Sequence, residues 1–279
     1  MHLTGPRVFL LIVGLLVGCA AAQPGTLTDR DGRVMQRALL PHPQQPTKQI
    51  ELFWTTPVGA GPWPAVLFIH GHQERFREGG EAYVKSGRLG RMASRGYVAA
   101  AVSQPGYGRS DGPPDFCGPS TQAAVREALR FLRTQPFVQP QKVALYGYSR
   151  GAIVASMVAT QDPQLAAVVL GAGAYDFSRW YPTPVRGIDM NIEHEAGTSA
   201  EAFRARSAIL HVDTITAPIL ILHGAQDERV SVRQAEAFAE TLHAKGLAVT
   251  VNIFPYAKHR IPIDEQDREI DPFLGEFLR

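Results

Sequence analysis

Cysteine is almost missing from this 279-residue chain, which holds only Cys19 and Cys117. A fold stapled by several disulfides is therefore excluded. Neither paired C-x-x-C ligands nor an H-E-x-x-H helix occurs, so the common zinc signatures are absent and no metal or cofactor is expected. An excess of one charge is missing as well. The 28 Lys and Arg nearly balance the 26 Asp and Glu at a net +2, and no basic block is interleaved with aromatics, which leaves nucleic-acid binding without an electrostatic footprint. No internal repeat or low-complexity tract is present. What remains, 45% hydrophobic and 19% charged residues, suits one ordinary globular domain with a substantial core.

The first 22 residues read as a targeting segment. Arg7 precedes an apolar run, 8–18, of signal-peptide length and too short to span a bilayer comfortably. Leu16-Val17-Gly18-Cys19 resembles a bacterial lipobox, whose cysteine becomes a lipid anchor; cleavage after Ala20-Ala21-Ala22 with plain secretion is the alternative. Either way the expectation is export, with membrane contact only through the lipid on Cys19. Residues 23–48 are rich in Gln, Pro, Thr and Arg without sustained periodicity and are expected to be a tether or loosely packed lead-in. A single domain then fills 49–279.

Within it, strand-like and helix-like patterns alternate. IELFWTT, AVLFIHG, YVAAAVS, KVALYGY, LAAVVLGAG, PILILHG and VTVNIF are strand candidates, several of them continuous apolar runs of the kind buried on both faces. Residues 121–134 and 231–245 carry helical apolar stripes, the second stopped by Gly246. The repeated order predicts an α/β fold with a mostly parallel sheet covered on both sides, whose ligands bind at the carboxyl ends of the strands.

The polar residues obey that rule. Ser149, Asp227 and His259 each follow a predicted strand, as do His70 and His72. Ser149 sits in Gly147-Tyr148-Ser149-Arg150-Gly151, where flanking glycines let a strand and a helix approach closely while the serine oxygen projects outward. A serine hydroxyl needs a base, and the base needs an orienting carboxylate. The chain order Ser149, Asp227, His259 supplies nucleophile, acid and base; Glu228 is the competing acid. Two backbone N–H groups should receive the oxyanion, that of Arg150 and one from the loop after AVLFIHG, His72 first and Gln73 second.

The segments FIHGH, SQPGYGRSDG, YGYSRGAIVA, PILILHGAQDERVSVRQAEAF and FPYAKH resemble the α/β-hydrolase superfamily, especially the catalytic domain of prolyl-oligopeptidase-like (S9) and dienelactone-hydrolase-like members. The resemblance spans almost everything from about residue 50 onward. It implies Ser149, Asp227 and His259 as the triad of an exported serine hydrolase without a cofactor. The chain departs from the family pattern at Lys258, at Gln104 and in GYSRGA, which lacks a second trailing glycine. S9 peptidases also carry a large amino-terminal propeller, for which this chain has no room, so ester or other small acyl substrates become the expectation.

Between the fifth and sixth strand candidates lies a long segment, about 172–216, expected to form short helices over the site as a lid. Phe177, Trp180 and Tyr181 within it either line an acyl pocket or pack the lid onto the sheet, and Gln73 and Tyr148 are further candidate substrate contacts. Three readings follow: an esterase acting through an acyl-enzyme, an S9-like peptidase, and a catalytically silent envelope lipoprotein. Mass spectrometry of the mature amino terminus tests the lipid reading; a diacylglyceryl-modified Cys19 is expected, and an unmodified start at Gln23 would refute it.

Overall fold

A computed structural model describes residues 25–74 and 76–279; the apolar run and Cys19 lie outside the described residues. The described strands are β1 (Gly25–Thr28), β2 (Val34–His42), β3 (Gln45–Thr55), β4 (Trp63–Ile69), β5 (Val98–Val102), β6 (Val138–Tyr148), β7 (Ala167–Gly171), β8 (Ile219–Gly224) and β9 (Val249–Phe254). They form one sheet in the order β1-β2-β3-β5-β4-β6-β7-β8-β9. From β5 to β9 every neighbouring pair is parallel, while β1, β2 and β3 join antiparallel at one side. All seven strand candidates match a strand.

Burial on both faces explains why the central strands read as unbroken apolar runs. Along β4, Ala65, Leu67 and Ile69 face one core cluster while Val66 and Phe68 face the other. Helices α1 (Glu81–Lys85), α2 (Arg88–Ser94) and α9 (Ile263–Leu278) cover the second face. The first is covered by α3 (Pro119–Arg133), α4 (Arg150–Ala159) and α8 (Arg233–Ala244). Between β7 and β8 the expected lid segment holds α5 (Phe177–Trp180), α6 (Arg186–Glu195), α7 (Ala200–Arg204) and a 3-10 turn, Ala208–Thr214. Phe177, Ile192 and Phe203 root it in the first core cluster. This is the α/β-hydrolase fold.

The lead-in is a correction. Residues 25–48 were expected to be loose, yet they supply β1, β2 and the start of β3. Their alternation is obscured by half-exposed Gln36 and Arg37 and by prolines at 41, 43 and 46, with a register shift falling between Pro41 and His42. Tertiary pairing overrides the weak local pattern, because Met35, Ala38 and Leu40 complete the core beside β3. Met35 is fully buried, so Met35→Ala should lower unfolding free energy by about 2–5 kcal/mol. Denaturant titration checks this, and a change below about 0.5 kcal/mol, ordinary for an exposed site, would contradict a structural role for this segment.

Candidate active site

The turn between β6 and α4 is very tight. A Cβ on Gly151 would overlap the carbonyl oxygen of Ile69 in β4, and one on Gly147 would overlap that of Gly151. Glycine is required at both positions by this close approach. Ser149 between them takes φ 54°, in the left-handed region that L side chains avoid, and its N–H donates to Gly171 O at 2.7 Å. The strain is held by β4, β6 and β7 together.

Asp227 and His259 come from the two loops after β8 and β9. These loops are joined by hydrogen bonds from Ala225 N–H to Phe254 O and from Gln226 N–H to Ala257 O. Gly224 allows the contact, since a Cβ there would strike the carbonyls of Ala257 and Lys258. His259 Nε2 lies 2.9 Å from Ser149 Oγ, and His259 Nδ1 lies 2.8 Å from Asp227 Oδ2. The carboxylate assigns the proton to Nδ1, which leaves Nε2 as the acceptor facing the serine. Three strand ends thus bring the sequence-nominated serine, carboxylate and imidazole into one hydrogen-bonded chain. Glu228, the competing acid, is exposed.

Asp227 is more elaborately held than its sequence position suggested. Its Oδ1 accepts the N–H groups of Arg229 and Val230. His223, fully buried in β8, donates Nε2–H to Val230 O at 2.8 Å and brings the same nitrogen within 3.3 Å of Asp227 Oδ2. Burial alone would raise the Asp227 carboxyl; hydrogen bonds from His223, His259 and the backbone outweigh it and hold the group well below the usual carboxylate range. Tyr148 braces the base: its hydroxyl donates to His259 O at 2.8 Å and accepts Ile261 N–H at 2.9 Å. It also lines a cavity of about 280 Å³ beside Ser149.

A second cavity, of about 200 Å³, also borders Ser149 and is lined in part by residues of the 172–216 segment. Apolar side chains of Phe116, Ile153, Trp180, Val185, Ile188 and Val230 line it, and His72, Arg150 and His259 border it. The loop that carries His72 is fixed by His70, whose Nε2 accepts Gln104 N–H and whose Nδ1–H donates to Gly71 O. Burial, chiefly, lowers His70 to about 4, so it is neutral and structural.

Three expected substrate contacts are corrected. Gln73 has both polar ends committed to Gly79, accepting its N–H at 2.8 Å and donating to its carbonyl at 3.0 Å. Phe177 is fully buried and packs against Phe116, Trp180 and Phe203 rather than lining the cavity. Tyr181 packs against Phe203 with the rings tilted and donates its hydroxyl to the exposed Glu193. Only Trp180 of the aromatic trio reaches the cavity, its indole N–H tied to Arg229 O at 3.1 Å. Sequence reasoning missed Phe116, Ile153 and the lid residues Val185 and Ile188. Ile153 carries a legible signal, four residues after Ser149 on α4; the others depend on how the lid folds.

Residues 117–279 match the model of the prolyl oligopeptidase family. The chain belongs to that family. It is a serine hydrolase of that family. Among curated family relatives, an uncharacterized peptidase, YtmA, from Bacillus subtilis (strain 168) is 28% identical over 66% of this chain and 73% of its own length. Acylamino-acid-releasing enzyme 1 of Oryza sativa subsp. japonica is 25% identical over 76% of this chain but only 29% of its own length. In fold, a puromycin-hydrolyzing peptidase of Mycobacterium tuberculosis superposes with a TM-score of 0.76 at 20% identity, covering 92% of this chain and 39% of that one. An acetyl xylan esterase from Paenibacillus sp. R4 gives 0.73 at 17% identity, covering 92% and 89%. The chain thus spans less than half of several of the peptidases it matches.

Because the folded-state value of Asp227 is depressed, its ionised form contributes stability that is complete above the unfolded value of about 3.9 and fades as the pH falls from there through the folded value. The difference in unfolding free energy between wild type and Asp227→Asn should therefore be constant from about pH 5 to 7 and shrink steadily below about pH 4. Denaturant unfolding at graded pH measures it; a gap that widens in acid would contradict the assignment.

Proposed function

We propose that the chain cleaves carboxylic esters of small acyl groups through an acyl-enzyme, with Ser149 as nucleophile, His259 as general base and Asp227 as the orienting acid. The observation that carries the reading is the single imidazole bridging a serine oxygen at 2.9 Å and a buried carboxylate at 2.8 Å. As Ser149 Oγ attacks the carbonyl carbon, its proton passes to His259 Nε2. Asp227 stays ionised and stabilises the imidazolium through Nδ1–H. The carbonyl oxygen, now an oxyanion, turns toward the backbone N–H groups of Arg150 and His72. Collapse expels the alkoxide, which takes the proton from His259 Nε2. A water then repeats the sequence on the acyl-serine, releasing the acid and restoring Ser149.

The cavity beside Ser149 supports small acyl groups. At about 200 Å³ it falls below the roughly 300–1,000 Å³ of pockets that hold drug-sized ligands, and its lining is largely apolar. Peptide-bond cleavage is the second reading, favoured by family membership and by the peptidases among the relatives. The two share every step up to the leaving group, where an amine rather than an alkoxide takes the proton.

Hydrolysis of p-nitrophenyl acetate, butanoate and decanoate beside aminoacyl-amides separates them. Higher kcat/KM for the short esters than for the decanoate and the amides is expected; the reverse order would favour the peptidase. Ser149→Ala should lower kcat by at least about 10⁴-fold. His72→Ala, which keeps the backbone N–H, should lose far less. A wild-type protein that a fluorophosphonate fails to label at Ser149 would refute the nucleophile assignment.

A further inference from the structure

The residue directly after Ser149 is a buried arginine. The Arg150 side chain is only 3% exposed, and charged side chains rarely go so deep without compensation. Its compensation comes from the lid. Glu195, the last residue of α6 and itself 4% exposed, accepts Arg150 Nη2–H at 2.6 Å. Beyond that carboxylate the guanidinium meets only ring faces, Phe116 at 4.7 Å and Tyr107 at 5.5 Å, and its Nε and Nη1 have no hydrogen-bonding partner among the described residues. A buried cation left with one anion is strongly dependent on it.

The same carboxylate reaches a strained loop. Glu195 Oε2 also accepts Phe116 N–H at 3.1 Å. Phe116 and the following Cys117 have φ of 41° and 68°, left-handed values unusual for residues other than glycine. Such conformations persist where neighbours over-determine them. Here Arg206, after α7, donates to Phe116 O at 2.7 Å and Asp115 O at 2.6 Å, while Cys117 Sγ–H points to Arg150 O at 3.3 Å. Phe116 in turn lines the 200 Å³ cavity beside Ser149, as does Ile188 of α6.

We propose that Glu195 is a positioning residue which, through Arg150 and Phe116, latches the lid onto the helix that follows the nucleophile and so sets which acyl groups the cavity accepts. The proposal rests on Ser149 being the nucleophile. The ion pair exists only with the lid down; lifting α6 exposes both charges to water, so pairing biases the lid toward the closed arrangement. An acyl group that fills the cavity touches Trp180 and Ile188 and gains from closure. An acetyl group reaches little of either and gains less.

The test compares wild type with Glu195→Gln, which keeps an acceptor for Phe116 N–H but removes the charge. A second variant, Arg150→Met with Glu195→Met, removes both buried charges and guards against simple misfolding. The readouts are kcat and KM for p-nitrophenyl acetate and butanoate, and amide hydrogen exchange across residues 186–195. In Glu195→Gln, kcat/KM for the butanoate should fall about tenfold and for the acetate less than about threefold, with exchange in α6 at least about tenfold faster. The double variant should melt near the wild-type temperature and keep the reduced butanoate preference. An unchanged butanoate-to-acetate ratio in both variants, whatever the absolute rates, would overturn the latch. Failure of wild-type Ser149 to react with a fluorophosphonate would instead bring down the nucleophile assignment, and the selectivity role with it.

Discussion

The close approach of α4 to β4 and β6 is the constraint on which the site depends. Because the first turn of α4 lies against the carbonyl of Ile69, the chain must leave β6 and reverse within a few residues. Only a left-handed residue flanked by glycines completes that reversal, and Ser149 occupies it. The strain is tolerable because three parallel strands hold the turn from below, and its product is a serine oxygen standing clear of the sheet. Every other element of the site is placed relative to that oxygen.

The imidazole and carboxylate arrive by a different route. They lie on loops after β8 and β9, and loops are ordinarily the least constrained part of a fold. Here each loop is bonded to the other through backbone groups, and Tyr148 ties the His259 backbone directly to the strand that carries Ser149. His223 adds a second imidazole to Asp227 from within β8 itself. Rigidity at the site is thus borrowed from the sheet rather than supplied by the loops, which matches the expectation that a catalytic constellation is held by packed supporting groups.

Much of this is legible in the amino-acid sequence alone. The apolar runs of β4, β5, β7 and β8 are unmistakable because those strands are buried on both faces, and polar residues just past the strand ends mark the working edge of the sheet. Ser149 announces itself by its glycines, and Asp227 and His259 by their order. Strands β1 and β2 were not legible, since strands near the border of the sheet with one covered face and prolines interspersed along β2 and the start of β3 resemble a coil. The lid was legible as a segment but not as a surface: Phe177 and Tyr181 look the same in sequence as Trp180, and only tertiary packing decides which ring turns inward. Glu195 carried no local signal, because its meaning depends on Arg150, 45 residues away along the chain.

The short strand β1 has a bearing on the molecule's behaviour in concentrated solution. Among the described residues, Gly25–Thr28 form one border of the sheet and pair with β2. Because β1 pairs with Val34–Arg37, that stretch of β2 is bonded within the chain rather than open to a neighbouring molecule, so strand-by-strand addition of one copy to another finds no template along it. The segment that reads as a mere leader to the domain also blunts a surface on which aggregation could otherwise nucleate.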